Sequence, residues 1–438
     1  MTPAAASILL CVLAQMPSPS PGPSVAAAAA QAVEPAIAGS DGQPHFRGAL
    51  ELSPQAYPAP DYFLLGTPIL SFEAGNIFAV ELGANLRLGV PSLTLRMEDW
   101  DELSDFGQVL RQLRVGEDGG VIQLSAGAFG GYTLGNGQLI SRYSNRLNAN
   151  YHPAGANLAF FIGPTRTELF ASDVLGGRLF AGELAVDLGR TIGAGPEVHD
   201  RYHLALSVAH DFGRAGGVAP PLTLAWLELD AALLRAPKGQ LSAYAGAGGR
   251  VQDDGSSLGA TVGVAGEALP RGARLGGRLE ARKQNSGFRQ GMVGFDYELA
   301  RFSAIGLSGV PLAEDRLPDT FSFYAELAAA VGGTDAATLE GEGLVASASA
   351  EYFTSGRTNV DASVQARVLN GRGAIGARFA AVGLGETPRY VMTVEARYRF
   401  MPSMYALASG GNLYLPRADG TLQRGVVAAI GVGADFAR

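Results

Sequence analysis

The sequence predicts an all-β protein, a single antiparallel transmembrane β-barrel of about 18 strands, within a range of 16 to 20, with one short helix. Three observations predict it. Apolar and polar residues alternate along most of the chain, about nineteen alternating segments are each roughly 8–14 residues long, and only 17% of the residues are charged. A soluble domain usually carries about 25% charged residues, so part of the surface is expected to contact something other than water.

The N-terminal residues 1–14 are expected to be a signal peptide. They contain an apolar core, and small side chains precede a cleavage site after Ala14. The alanine run 26–30 offers a second cleavage site. No Lys or Arg precedes the apolar core, so a disordered alanine-rich tail is the alternative. Because the one cysteine, Cys11, lies in this segment, the mature chain is expected to hold no disulfide and no cysteine-based zinc site.

The rest of the chain is expected to divide into three parts. Residues 15–45 are rich in Pro, Ala and Ser and have too few large apolar side chains to fold, so they are predicted to be a disordered linker. Residues 46–77 are interpreted as an N-terminal segment that leads into the barrel, and 78–438 as the barrel itself. No later segment offers 18 or more unbroken apolar residues, so no membrane-spanning helix is predicted.

Alternation is clearest in residues 390–400, where Tyr390 and Phe400 belong to an apolar row and Glu395 and Arg397 to a charged one. Successive side chains of a strand point to opposite faces, so such a strand has one apolar side. Ordinary globular strands average about 5–6 residues, whereas these runs are longer. Lipid offers no hydrogen bonds, so only helices and closed barrels cross it. A large soluble β-sandwich or β-helix, which also alternates, is the alternative.

Charged residues on the polar faces are candidates to line the lumen. They are Glu81, Arg87, Arg96, Glu183, Asp187, Arg274, Arg278, Glu298, Asp361, Arg367, Glu395 and Arg397. Arg274, Arg278 and Arg282 share one predicted strand face, and Asp296 and Glu298 follow in the next run. Rows of opposite charge that face each other across a lumen would set a field that selects solutes. The alternative is that these residues are neighbours in the structure and that their opposite charges pair with one another.

The densest polar cluster follows a strand predicted to end near Tyr132 and begins with Gly135-Asn136-Gly137. Its candidates for a constriction or for solute contact are Arg142, Tyr143, Asn145, Arg146, Tyr151 and His152. Irregular backbone is tolerated at membrane depth where it lines a water-filled cavity, so the cluster could fold inward and bind an anionic or sugar-like solute. The alternative is that the cluster is a solvated loop, or a segment that sets the register of neighbouring strands.

The one helix-like stretch is Asp99–Val115. Leu103, Phe106 and Leu110 recur near helical spacing, with acidic residues in the first turn and arginines in the last, as the helix dipole favours. It is interpreted either as a short plug or as a helix within a connection.

This pattern resembles Gram-negative outer-membrane β-barrels of the porin-like type. In that group the last strand is amphipathic and ends in an aromatic residue that the barrel assembly machinery reads. Here the apolar row of the final run ends at Phe436, two residues before the last one. The resemblance implies an outer-membrane location in a Gram-negative bacterium, with outer-membrane lipid and the barrel assembly machinery as partners.

A second resemblance covers about Asp99 to Leu184. It includes Asp99-Trp100-Asp101, Arg142-Tyr143-Ser144-Asn145 and Gly176-Gly177-Arg178-Leu179. This part is similar to predicted outer-membrane barrels of unassigned function, which implies location and fold and no particular solute.

The leading functional expectation is a water-filled channel for passive passage of small solutes, because barrels of 16–18 strands leave an aqueous channel. The net charge of −8 argues against nucleic-acid binding, which needs a basic surface. None of the five histidines has a nucleophile-elbow context, so no enzyme, catalytic residue, metal site or cofactor is expected. The alternatives are a structural or adhesive barrel with a plugged lumen and an outer-membrane hydrolase. Nothing in the sequence marks an oligomer.

Overall fold

A computed structural model describes residues 44–56, 62–117, 119–148, 150–213, 220–251, 257–285, 287–302, 318–332, 343–385, 388–416 and 422–437. The predicted signal peptide and nearly all of the predicted linker lie outside these residues. Within them, no helix is long and apolar enough to cross a membrane.

Most of the chain forms one antiparallel sheet of 21 strands, the wall. Its strands are β1 Pro44–Ala56, β2 Tyr62–Ala74, β3 Phe78–Gly83, β4 Leu86–Gly89, β5 Leu110–Val115, β6 Ile122–Gly127, β9 Gly155–Ile162, β10 Thr165–Ala171, β11 Leu179–Asp187, β12 Tyr202–Asp211, β13 Leu222–Ala236, β14 Gly239–Arg250, β15 Leu258–Ala268, β16 Ala273–Gln284, β17 Thr320–Val331, β18 Gly343–Phe353, β19 Thr358–Val368, β20 Gly373–Leu384, β21 Arg389–Met401, β22 Met404–Pro416 and β23 Leu422–Ala437. A separate small sheet joins β7 Gly130–Tyr132 and β8 Tyr143–Ser144. The helices are two 3-10 helices, Met97–Asp99 and Leu103–Val109, and two short α-helices, α1 Leu188–Thr191 and α2 Tyr297–Phe302.

The wall closes on itself, because β1 pairs with β2 on one side and with β23 on the other. β3 and β4 both pair with β2 and make one interrupted strand, so the barrel has 20 wall strands. The predicted single, closed, antiparallel barrel is confirmed. Its strand number is 20 instead of the expected 18, at the upper limit of the predicted range.

The barrel begins at Pro44 and not at Phe78, because β1 and β2 are wall strands. The segment 46–77, which was interpreted from the sequence as leading into the barrel, therefore contributes to two full wall strands. Pro54 and Pro68 lie within these strands. Because proline cannot donate to a strand ladder, its presence argues against a strand when only the sequence is considered.

The helix predicted for Asp99–Val115 is wrong in type and in extent. Two 3-10 helices occupy 97–109, and β5 follows from Leu110. The apolar residues Leu103 and Phe106 are three apart, which suits the three residues per turn of a 3-10 helix. From Leu110 onward the chain pairs with β3 and β6 and belongs to the wall.

The outer face of the wall is apolar. Phe323 and Leu327 of β17 and Ile430 and Phe436 of β23 are each at least 60% exposed. Isolated exposed apolar residues are ordinary, but continuous rows of them mark an interaction with another apolar phase. An apolar outer band around a closed barrel is the arrangement that lipid requires.

We call the rim where β1 begins and β23 ends the proximal end, and the opposite rim the distal end. Two distal connections fold back into the lumen. The first inner segment, residues 128–154, joins β6 to β9, and the second inner segment, residues 285–302, follows β16. These two segments position the side chains of the candidate site.

Candidate functional site in the lumen

The two inner segments are joined to each other by main-chain hydrogen bonds. Ile140 and Val293 form a parallel β-bridge. The Ser141 N–H donates to the Val293 carbonyl at 3.1 Å, and the Val293 N–H donates to the Leu139 carbonyl at 3.1 Å. A third bond runs from the Gly291 N–H to the Gln138 carbonyl at 2.7 Å. The segments therefore behave as one unit across the lumen.

One side of this unit packs against the wall through apolar side chains. Tyr132 stacks on Phe170 of β10 with ring centroids 4.2 Å apart, and Phe288 stacks on Trp226 of β13 at 5.9 Å. Ile140 lies in the same buried cluster. Since each buried aromatic or aliphatic side chain contributes about 1.5–3 kcal/mol, this cluster holds both segments against β10–β13.

The other side of the unit reaches the opposite part of the wall. Phe295 and Leu299 of the second inner segment pack with Ala380 of β20, Val391 of β21 and Tyr414 of β22. The inner segments thus contact the wall on two opposite sides of the lumen. We call the parts of the lumen toward the two rims the distal and the proximal space.

Arg142 is the main polar connection between the first inner segment and the wall. Its guanidinium donates to Glu326 of β17 at 3.1 Å, to Ser347 of β18 at 3.1 Å and to Asp361 of β19. Arg142 is buried, and its backbone φ of +56° is unusual for a residue other than glycine. The predicted constriction residue Arg142 therefore lies in the lumen, as does Tyr143, whose hydroxyl donates to Glu298.

The remaining predicted constriction residues lie elsewhere, at the distal edge of the wall. Asn145 donates to the carbonyls of Gly127 and Ser172, each at 3.2 Å. Arg146 donates to the carbonyls of Gly107, Leu110 and Pro153, each at 2.9 Å. Tyr151 donates to Asp173 at 2.9 Å. These contacts hold main chain in place.

His152 and two carboxylates form the buried centre of that distal edge. Burial acts to raise the pKa of Asp99, but the contact with His152 and the charges of Arg87 and Arg96 lower it to about 2. Burial lowers the pKa of His152, against the effect of Asp99. The main-chain N–H groups of Glu102 and His152 donate to the carboxylate of Asp105, at 3.0 and 3.1 Å.

The distal space is a cavity of about 1040 Å³, including the part that opens to solvent. Aromatic side chains and six arginines line it, against three carboxylates. The arginines are Arg142, Arg250, Arg282, Arg289, Arg357 and Arg389, and the carboxylates are Asp296, Glu351 and Asp361. Of these nine, Arg142 and Asp361 were predicted to contact solute or to line the lumen, and Arg282 and Asp296 were named in the rows of opposite charge. The loss of alternation between Asn285 and Asp296 was the available signal for the second inner segment.

The arginines of the distal cavity are held in fixed positions. Arg282 lies over the Tyr324 ring at 4.2 Å and pairs with Glu351 at 3.2 Å. Arg389 pairs with Asp296. Arg289 donates to the carbonyls of Phe288 and Pro318, each at 2.9 Å. A guanidinium keeps its charge at every accessible pH, so the cavity stays cationic.

The proximal space contains a smaller cleft of about 390 Å³, including the part that opens to solvent, beside the junction of β1 and β23. Glu81 and Arg397 line it, together with Arg47, Arg111 and Tyr405. Glu81 pairs with Arg111 at 2.7 Å. Two of the predicted lining residues therefore border a proximal cleft.

Most of the other predicted lining residues belong to the inward face of the wall. They are Arg87, Glu183, Arg274, Arg278, Asp361, Arg367 and Glu395. Asp187 belongs to a different setting, because it caps α1 at the proximal rim by accepting from the N–H groups of Gly189 and Arg190.

The predicted position is wrong for two of the lining candidates, because they do not lie on wall strands. Arg96 precedes the first 3-10 helix and pairs with Asp99. Glu298 belongs to α2, not to a strand, and is fully buried beside Arg301 at 3.3 Å. Burial raises the pKa of Glu298, against the charge of Arg301.

The arginines of β16 pair with neighbours and not across the lumen. Arg278 pairs with Glu326 at 2.7 Å, and Arg282 pairs with Glu280 of its own strand at 2.5 Å. Arg274 pairs with Glu267 of β15. Of the two interpretations of these arginines, the structure agrees with the second, in which neighbouring residues of opposite charge pair with one another.

No family model matches the sequence, and no curated protein is similar to it. The chain is similar at low identity to a number of solved structures, of which three serve as examples. Against Pseudomonas aeruginosa OccK5 (OpdH) it is 12% identical, with 92% of this chain and 100% of that chain covered and a TM-score of 0.37. Against Pseudomonas aeruginosa OprD it is 10% identical, with 95% of this chain and 99% of that chain covered and a TM-score of 0.34. Against CdiB from Acinetobacter baumannii it is 8% identical, with 89% of this chain and 60% of that chain covered and a TM-score of 0.30. TM-scores this low carry no information about function.

No three residues among His, Cys, Asp and Glu come together as a metal site within the residues that the structure covers.

Proposed function

We propose that the protein is a channel of a Gram-negative outer membrane that passes small solutes and prefers anions. The observation that carries the proposal is the distal cavity, where six arginines face three carboxylates at the mouth of a closed barrel. The chain as a whole has a net charge of −8, so this local excess of positive charge is a property of the site.

A positive lining attracts anions because a water-filled space between low-dielectric walls focuses the field. Charged rings of this kind set the selectivity of pores. The aromatic residues Phe295, Tyr297 and Phe353 share the cavity with the arginines. The cavity therefore suits a small anion that also carries an apolar or ring-shaped part.

The outer-membrane location is supported by the apolar outer face and the closed wall. A closed barrel of this kind resists detergent until it is heated. We expect the unheated protein in a purified outer-membrane fraction to migrate faster on a gel than the heated protein. Recovery of folded protein from the aqueous fraction without detergent would contradict the location.

Conductance in planar bilayers tests the channel. In a KCl gradient we expect a reversal potential whose sign indicates Cl⁻ selectivity. Arg289→Gln combined with Arg389→Gln removes two charges of the cavity and is expected to shift that potential toward zero. Arg271→Gln, in the exposed proximal turn between β15 and β16, is the matched control and should leave it unchanged. A cation-selective current would overturn the anion preference.

A barrel with a closed lumen is the second candidate. It is favoured by the inner segments, which touch each other at Ile140 and Val293 and pack on opposite parts of the wall. If the full chain inserts in the bilayer but carries no current at any voltage, this structural role replaces the channel.

A further inference from the structure

The wall is not equally tall on all sides. β5 and β6 have 6 residues each, β10 has 7 and β9 has 8, whereas β13 has 15 and β23 has 16. A transmembrane strand needs about 9–11 residues. The four short neighbours therefore form only the proximal half of the wall, and something else must form its distal half.

The chain between β4 and β5 fills that position. At one end Leu95 forms a β-bridge with Leu88 of β4. At the other end Leu110 stands opposite Leu82 of β3. Since Leu82 belongs to the outward apolar row and is 41% exposed, the end of the segment at Leu110 lies at the height of the apolar band, not above it.

The 3-10 helix Leu103–Val109 presents an apolar column at this height. Residues three apart eclipse one another in a 3-10 helix. Leu103, Phe106 and Val109 are accordingly on one side, with 65%, 51% and 41% of their surface exposed. On the other side, Asp105 and Gln108 are buried against the barrel.

The main chain of this segment is supplied with hydrogen-bond partners from the inside. Gln108 donates to the Asp99 carbonyl at 2.8 Å, and Arg146 donates to the carbonyls of Gly107 and Leu110. The Asp105 side chain accepts from the Glu102 N–H at 3.0 Å. Backbone at membrane depth must be satisfied within the protein, and these contacts meet that condition.

Charge along the segment changes with height. Glu98, Asp101 and Glu102 are exposed near the rim, whereas the exposed residues below them are Leu103, Phe106 and Val109. This order matches a headgroup layer above a hydrocarbon layer.

We propose that the segment 103–109 is a helical part of the membrane wall and that Leu103, Phe106 and Val109 contact lipid acyl chains in the distal half of the bilayer. The surface continues the apolar band of the neighbouring strands, so acyl chains are its partner. The inference rests on the proposed membrane location, and it makes this connection part of the barrel wall in place of an extramembrane loop.

Spin-label accessibility tests the inference in the full chain reconstituted in phosphatidylcholine vesicles. In a Cys11→Ser background, a nitroxide is attached to Phe106→Cys, with Val109→Cys as a second reporter. Phe323→Cys on the outer face of β17 is the lipid control, and Thr393→Cys on the inner face of β21 is the water control. Collisions with oxygen report lipid, and collisions with a water-soluble nickel chelate report water.

We expect the labels at 106 and 109 to match the label at 323, with an oxygen-to-nickel collision ratio several-fold above that at 393. If 323 behaves as lipid-exposed and both 106 and 109 behave like 393, the inference is overturned and the membrane barrel stands. If 323 also behaves as water-exposed, the membrane barrel itself fails. Heat-modifiable mobility of each variant shows that it has folded.

Discussion

Ile140 and Val293, which belong to two different connections of the barrel, pair as a parallel β-bridge inside the lumen. Each connection on its own is a long irregular loop. Joined at this bridge, they support one another. Both are packed against β10–β13, and the second is also packed against β20–β22. What limits the lumen is therefore a composite of two loops, and loosening one is expected to loosen the other.

Ile140→Ala is expected to open this composite. Ile140 is fully buried, and truncation of a buried isoleucine costs about 2–5 kcal/mol. We expect larger and noisier single-channel conductance, with heat-modifiable mobility retained because the wall ladder is untouched. Ile430→Ala makes the same change on the outer face, where Ile430 is 74% exposed, and is expected to leave conductance unchanged. Equal effects of the two variants would refute a role for the bridge.

Arg142→Gln is expected to destabilise the first inner segment. The substitution leaves Glu326 and Asp361 without their shared arginine, although Arg278 and Arg378 still pair with them. Breaking a buried ion pair costs about 3–5 kcal/mol when a charge is left uncompensated, and we expect a smaller cost here because Arg278 and Arg378 remain paired with the two carboxylates. Faster hydrogen exchange of the Arg142 region is the expected readout. Adding Asp361→Asn should recover part of the loss, and additive effects in the double-mutant cycle would show that the pair is not coupled.

Gly107→Ala is expected to push the outer 3-10 helix away from the first inner segment. A Cβ at Gly107 would stand 2.2 Å from the Ala154 nitrogen and 2.6 Å from the Pro153 carbonyl carbon, so main chain would have to move. A substitution at Gly376 is the control, because its Cβ meets only Gln365, at 4.0 Å. We expect Gly107→Ala, and not Gly376→Ala, to make the 97–109 main chain accessible to protease in vesicles.

The wall could be predicted from the sequence because lipid imposes a simple rule on each strand. Alternation along β21 and β23 follows from one face in hydrocarbon and one in the lumen, and the structure has both as wall strands. The rule fails where a segment is not a strand. Asp296 and Glu298 read as a strand face, yet they lie in a turn and a short helix inside the barrel.

The lumen was less predictable, because its contacts join residues far apart in the chain. The cluster around Arg142 is visible as a polar stretch, but its partners Glu326 and Asp361 are not visible from local pattern. The same holds for Arg250 and Arg357, which become part of one cavity only when β14, β16 and β18 are neighbours of the second inner segment.

The pairing of β1 with β23 fixes when the wall can be completed during biogenesis. Arg47 reaches Asp435 at 2.6 Å across this seam, and until the last strand docks, two unpaired strand edges face hydrocarbon, which is energetically prohibitive. Insertion stepwise from the first strand would leave such an edge exposed throughout synthesis. Closure of the wall is therefore expected to be a late step of folding, because the second edge of β1 is paired only when the last wall strand, β23, is in place.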